Sequence, residues 1–166
     1  MRIIIDGYNL LHKFVSLFPL SNGDSRDLLI NDLVRYKRKK GGDITLVFDG
    51  GDRGGVAGSI YKDKGINVVF TNGGRSADEE IVEMVSLKGG GVIVVSSDRA
   101  VRERVEGFGA VCVSSEVFAQ KLSENAMLEV KGTEDTDAIY IKKPKKGPSK
   151  RKNKKERRRD RVLPKL

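Results

Sequence analysis

The chain carries one cysteine and one histidine in 166 residues. A single thiol excludes an intramolecular disulfide and a cysteine-built zinc site, and it fits a reducing compartment with no disulfide-linked partner. Cys112, set in Ala110-Val111-Cys112-Val113, reads as a buried strand thiol. His12 stands alone in an apolar segment and reads as structural, so chemistry that needs a histidine base has little to draw on. Long apolar runs are also missing. Asp6 interrupts the only apolar stretch near the amino terminus, so neither a signal peptide nor a membrane span is expected, and the chain reads as soluble and cytoplasmic. Two glycine signatures are absent as well. The Gly50-Gly51-Asp52-Arg53-Gly54-Gly55 stretch lacks the spacing and the Lys-Ser/Thr pair of a P-loop, and no Gly-x-Gly-x-x-Gly follows the first apolar run.

Acidic residues are scarce only in one place. The net charge is +9, yet residues 142–166 hold 14 Lys/Arg against Glu156 and Asp160, leaving 18 basic against 21 acidic residues in 1–141. The basicity belongs to a tail rich in Lys, Arg, Pro and Gly with almost no apolar residues, for which disorder without a partner is expected. A second basic run, Lys37-Arg38-Lys39-Lys40, ends a helical stretch. There, cations complement the helix carboxyl terminus, and a solvated face is the plainer reading, with nucleic-acid contact as the alternative.

What the chain does have is a repeating alternation. Ile3-Ile4-Ile5 reads as a strand buried on both faces, and Ile44 to Phe48, Ile66 to Phe70, Val92 to Val95 and Ala110 to Val113 read as four more. Leu10 to Leu20 suggests a helical turn or packed loop. Asp24-Ser25 can cap a helix over Arg26–Lys40 with Leu29, Leu33 and Tyr36 inward and Gly41-Gly42 as its stop. Ser76 and Glu79 form a capping box for a helix whose apolar face holds Ala77, Ile81, Met84 and Val85. Val101, Val105 and Phe108 give the next helix its stripe, and Ser115 opens another carrying Val117, Phe118 and Leu122. This order predicts a three-layer α/β/α domain over residues 1–123 with a mostly parallel five-stranded sheet. Residues 124–141 read as a linker or a marginal hairpin of Met127–Val130 with Ala138–Ile141, and 142–166 as the basic tail.

The carboxylates fall in telling places. Asp6, Asp49 and Asp98 come at or just beyond the ends of apolar strands, and Asp78 sits on the inner side of a helix's first turn. Parallel strands bring their carboxyl ends to one edge, where open α/β sheets bind ligands. Up to four negative charges gathered there raise one another's pKa unless protons or cations balance them. Each acid also has a plainer role, Asp98 as a helix cap and Asp78 as a dipole partner. Oxygen-only ligands favour Mg²⁺ or Mn²⁺ over zinc, and the chemistry such a site serves best is metal-assisted phosphodiester hydrolysis.

Asp6-Gly7-Tyr8-Asn9-Leu10, Val47-Phe48-Asp49, Ala77-Asp78-Glu79 after Phe70-Thr71, and Ser97-Asp98 together resemble the YacP-like branch of the NYN domains, PIN-like ribonucleases. The four ordered motifs span about residues 1–123. The resemblance implies a PIN-like fold, metal-dependent endoribonuclease activity, and a site made of Asp6, Asn9, Asp49, Asp78 and Asp98. It also implies RNA as substrate and, for some bacterial members, action on messenger RNA in association with ribosomes.

The expected assignment makes Asp6 the central metal ligand, Asp78 and Asp98 flanking ligands, and Asp49 a further ligand or an orienter of water, with Glu80 as an accessory. Arg53, Arg75 and Arg99, and in the tail Lys150, Arg151, Lys154, Lys155, Arg157, Arg158 and Arg159, are expected to contact RNA phosphates. A non-catalytic RNA- or ribosome-binding module is the rival from another class. It gives no reason to gather acids near phosphates. A small-molecule phosphohydrolase would be expected to carry Asp-x-Asp, and residue 8 is Tyr.

Overall fold

A computed structural model of the chain describes residues 1–17, 25–50 and 57–130, together with Arg158, Arg159, Val162 and Leu163. Its elements in order are β1 (Arg2–Asp6), α1 (Gly7–Leu17), α2 (Ser25–Lys40), β2 (Asp43–Phe48), β3 (Ile60–Asp63), β4 (Ile66–Phe70), α3 (Ala77–Lys88), β5 (Val92–Val95), α4 (Arg99–Gly107), β6 (Val111–Val113) and α5 (Ser115–Val130). The sheet runs β3-β4-β2-β1-β5-β6. Five of the strands are parallel, and β3 pairs antiparallel with β4.

β1 is central because its isoleucines satisfy both faces of the sheet. Ile3 and Ile5 join a core with Leu10 and Phe14 of α1, Leu29, Leu33 and Tyr36 of α2, and Phe118 and Leu122 of α5. Ile4 points the other way, into a core with Ile81 and Val85 of α3 and Val101 and Val105 of α4. Period-two alternation therefore builds three layers from one apolar run. Each isoleucine is at most 1% exposed, and full burial of such a side chain is worth about 1.5–3 kcal/mol. The chain leaves β1 for β2 on one side and later returns to β5 on the other, so the strand order reverses at β1, where a crevice opens at the carboxyl edge.

Several expectations need correction. Among the described residues the sheet has six strands, not five. Ile60–Asp63 was hidden because Ile60 is 74% exposed and the strand lies at the edge with no buried residue. The segment after Asp6 is a full helix starting at Gly7, not a turn or loop. Phe108 caps α4 at its carboxyl end and is 48% exposed. It lies just past the stripe of Val101 and Val105. Helix α5 continues to Val130, crossing the boundary placed at 123 and taking up Met127–Val130, the first strand of the expected hairpin; Ala138–Ile141 lies outside the described residues. In the basic tail, Val162 and Leu163 pack against the core that holds α1, α2 and α5, so an unpacked tail does not hold at these two positions. Among the described residues no helix is long and apolar enough to cross a membrane.

The β1–α1 junction tolerates no side chain. A Cβ on Gly7 would run into the Phe48 ring and stand 2.8 Å from the Val47 carbonyl oxygen. Gly7→Ala is expected to cost about 1–3 kcal/mol through this overpacking, measured as a lower urea midpoint with an unchanged slope. An unchanged midpoint would show that the strand and helix do not meet this closely.

Candidate active site at the carboxyl edge

Asp6 is the last residue of β1 and shares the face of Ile4, toward α3 and α4. It is 8% exposed. Its Oδ1 accepts the Asn9 backbone N–H at 3.1 Å, as a helix cap does for α1, and its Oδ2 accepts the Ser96 hydroxyl at 3.2 Å. Burial nevertheless pushes its pKa up to about 6. The two hydrogen bonds oppose the rise, while the charges of Asp78 and Asp49 add to it.

Asp49 follows β2. Its Oδ1 accepts the Ala77 backbone N–H at 2.6 Å, tying the end of β2 to the first turn of α3. The turn is held from behind: Thr71 Oγ1 accepts the Gly50 N–H at 2.8 Å, and Thr71 donates its own N–H to Phe48 O at 3.0 Å. The Ser76–Glu79 capping box is present in full, so two devices, one local and one from β2, fix the residue that follows Ala77. That residue is Asp78. Its pKa is raised by burial first, then by Asp98 and Asp49, with Arg104 of α4 acting in the opposite direction. Asp78 is thus the acid whose charge is felt with each of the other three.

Asp98 is the N-cap of α4, with Oδ1 accepting from Ala100 N at 2.6 Å and Val101 N at 3.1 Å. Its own N–H donates to Ser96 Oγ at 3.1 Å, so the fully buried Ser96 joins Asp6 to Asp98 across the switch point. Asn9 also reaches over: its Oδ1 accepts the Ser97 N–H at 3.2 Å. Ser97 Oγ in turn donates to Glu116 at 2.6 Å and accepts Ser115 N–H at 3.1 Å, and Glu116 pairs with Lys13 at 2.8 Å. Lys13 first and Ser97 second hold the Glu116 carboxyl down at about 2.

The structure therefore gathers Asp6, Asp49, Asp78, Asp98 and Asn9 at one edge. Ser96, Glu116 and Lys13 were not among the expected site residues, and Ser97 entered only through the Ser97-Asp98 motif. A buried serine after an apolar strand carries no signal of its own, and Lys13 and Glu116 meet only through packing of α1 on α5. The donor set is all oxygen, which suits a hard divalent cation; among the described residues no three acidic, histidine or cysteine side chains converge tightly enough to enclose an ion as they stand. His12 is exposed. Cys112 is buried, its thiol donating to the Ser96 carbonyl at 3.6 Å and pushed up in pKa by burial. The basic residues are more dispersed. Arg75 pairs with Glu80 at 3.3 Å and with Glu83, Arg99 pairs with Glu103 at 2.9 Å, and Arg159 pairs with Glu106 at 2.6 Å. Arg158 is exposed. Arg53, Lys150, Arg151, Lys154, Lys155 and Arg157 lie outside the described residues.

A model of the YacP-like NYN domain matches residues 3–165. The chain belongs to the YacP-like NYN domain family. The match takes in the basic tail, beyond the motifs that carry the resemblance. Two crystal structures of Rae1 (YacP) from Bacillus subtilis have the same fold. One, of a mutant, gives a TM-score of 0.64 at 21% identity over 78% of this chain and 79% of that one. The other gives 0.61 at 23% identity over 80% of each. No curated protein matches the chain. The PIN-like, mostly parallel α/β architecture expected from the sequence is the fold of this NYN domain.

The strained ionisation of Asp6 has a measurable consequence. Its folded pKa of about 6 lies above the roughly 3.9 of an unfolded Asp. Between these values the folded state keeps a proton that the unfolded chain releases, so stability falls as pH rises through the window and stays reduced above it. In urea unfolding with chelator present, the wild type is expected to lose about 1–3 kcal/mol relative to Asp6→Asn between pH 4 and pH 7. Parallel stability profiles for the two proteins would contradict it.

Proposed function

We propose that this NYN domain is a metal-dependent endoribonuclease that hydrolyses RNA phosphodiester bonds at the carboxyl edge of its sheet. The observation that carries the reading is the coupling of Asp78 to Asp6, Asp49 and Asp98, with one member buried and resisting ionisation. Such a set is unfavourable by itself and becomes favourable with a cation. Asp6 and Asp78 would hold Mg²⁺ or Mn²⁺, with Asp98 and Asp49 flanking. A divalent cation supplies activation of water and neutralisation of charge at the scissile phosphate.

The chain's own residues do the positioning. Asp49 sets Asp78 through the Ala77 N–H, Ser96 sets Asp6 and the Asp98 backbone, and Asn9 holds the loop after β5 against α1. Lys13, about half exposed and paired with Glu116, would be within this reading a further contact for a substrate phosphate. Messenger RNA, recognition on the ribosome and action in the cytoplasm are the finer parts of the proposal, supported by the resemblance of the motifs to the family. The basic tail would add phosphate contacts, giving RNA affinity a steep dependence on salt.

A second reading has an observation in its favour. Asp6, Asp49 and Asp98 each accept N–H groups at the start of a helix, a structural duty that a non-catalytic RNA- or ribosome-binding module would also need. Labelled RNA incubated with Mg²⁺, Mn²⁺ or chelator separates the two. Cleavage is expected only with metal, and Asp78→Asn is expected to lower its rate by at least about 100-fold while retaining RNA binding. Binding without cleavage by the wild type, ribosomes included, would establish the binding module instead.

A further inference from the structure

Far from the acids, the end of α2 meets the turn between β3 and β4. A groove of about 560 Å³ lies there, lined by Asn31, Val34, Arg35, Lys37, Arg38 and Lys64. Four of the six are cations. Arg35 pairs with Asp32 at 2.9 Å, but Lys37 and Lys64 are held by neutral acceptors, the Gly65 carbonyl and Asn31 Oδ1, each at 2.7 Å. These bonds fix the two ammonium groups in place without cancelling their charge.

The turn that brings Lys64 is itself unusual. Two residues join β3 to β4, Lys64 with φ 48° and Gly65 with φ 91°. This is the left-handed pair of a type I′ hairpin turn, where Asn-Gly or Asp-Gly is preferred. Lysine pays roughly 1 kcal/mol for that backbone. It is the single non-glycine residue with positive φ among the described residues. A strained position that presents a cation to three others points toward a ligand.

We propose that this groove is a second RNA contact, a seat for the phosphate backbone at the amino edge of the sheet. It rests on the reading of the protein as RNA-directed. Ile66 opens β4 beside the groove and Phe70 ends it next to the acid edge, so the two sites are separated by a strand's length, roughly 15 Å. A long RNA reaches both, while a short one spans only one. Arg35 and Arg38, one helical turn apart at about 5–6 Å between Cβ atoms, present a row of charge. Among the described residues Val34 is the one apolar residue of the lining, which disfavours a peptide held by apolar anchors.

The test measures binding of a long and a short single-stranded RNA to the full chain by fluorescence anisotropy, with Ca²⁺ in place of Mg²⁺ or Mn²⁺ so that a hard cation can fill the acid edge while cutting is slowed, across a salt series. Arg38→Gln with Lys64→Gln is expected to weaken long-RNA binding about five- to fiftyfold and to lower the salt slope by about 2. The preference for long over short RNA should shrink with it. Arg38→Lys with Lys64→Arg is expected to restore binding, and Lys88→Gln with Lys121→Gln, an equal loss of charge elsewhere, to leave it unchanged. Thermal melts that match the wild type keep misfolding out of the comparison, and Arg38→Gln alone, at an exposed helix position, serves if the pair does not fold. Unchanged affinity and slope in the groove variant overturn the second contact and leave the RNA reading intact. Failure of the wild type to bind any RNA overturns both. Poly-glutamate that binds more tightly than RNA, through the same two residues, would assign the groove to an acidic protein and overturn the proposal.

Discussion

Four carboxylates can share one sheet edge here because helix amino termini face them. Asp6 accepts from the start of α1, Asp49 from the start of α3, and Asp98 from the start of α4. Unpaired N–H groups at a helix start carry partial positive charge. Asp6, Asp49 and Asp98 therefore each find a fixed donor that does not leave when the site changes its contents. The compensation is incomplete, as the raised pKa of Asp6 and of Asp78 shows. The remaining imbalance is what the proposed cation site would draw on: enough support to fold without the ion, and enough repulsion left to favour binding it.

Legibility in the sequence followed the range of the interaction. Ile3-Ile4-Ile5, the Ser76–Glu79 box and the cap at Asp98 depend on neighbours within a few positions, so their roles were readable from local pattern. The gathering of acids at one edge was also readable, since parallel topology alone brings strand ends together. Pairings across long separations were not. Ser96 reaches Asp6 over 90 positions and Lys64 reaches Asn31 over 33, and neither serine nor lysine signals its partner. Ile60–Asp63 escaped because an edge strand buries little, and its exposed Ile60 and Tyr61 break the inside-outside code that reveals a strand. Arg75 reads as a free cation in sequence, yet Glu80 and Glu83 sit on the helix side that faces it.

The two ends of the domain are opposites in charge for one reason. In a parallel α/β unit each strand hands over to a helix at the carboxyl edge, and each helix returns the chain at the amino edge. Helix amino termini thus collect at one end and carboxyl termini at the other. Acids are stabilised at the first, Asp6, Asp49, Asp78 and Asp98, and cations at the second, Lys37 to Lys40 at the end of α2. The basic run that reads as a solvated helix end in isolation acquires a different meaning beside Lys64. Helix polarity favours cations there, but it does not require a fourth one imported on a left-handed backbone from another strand.

This polarity also bears on how a polyanion approaches. Bare acids repel phosphate, and only a cation bound among them reverses the local field. An RNA held first at the amino edge would meet no such barrier, because Lys37 and Lys64 are fixed by neutral partners and keep their charge. Capture at one end and chemistry at the other would then separate affinity from cleavage. The acids can be tuned to the ion, with Asp78 placed by Asp49 and Asp6 by Ser96, without also having to attract the substrate. A domain with one histidine and one cysteine has few chemical groups to combine. Distributing attraction and reaction across opposite edges of the same sheet, as proposed, would let carboxylates and amines do both without neutralising each other.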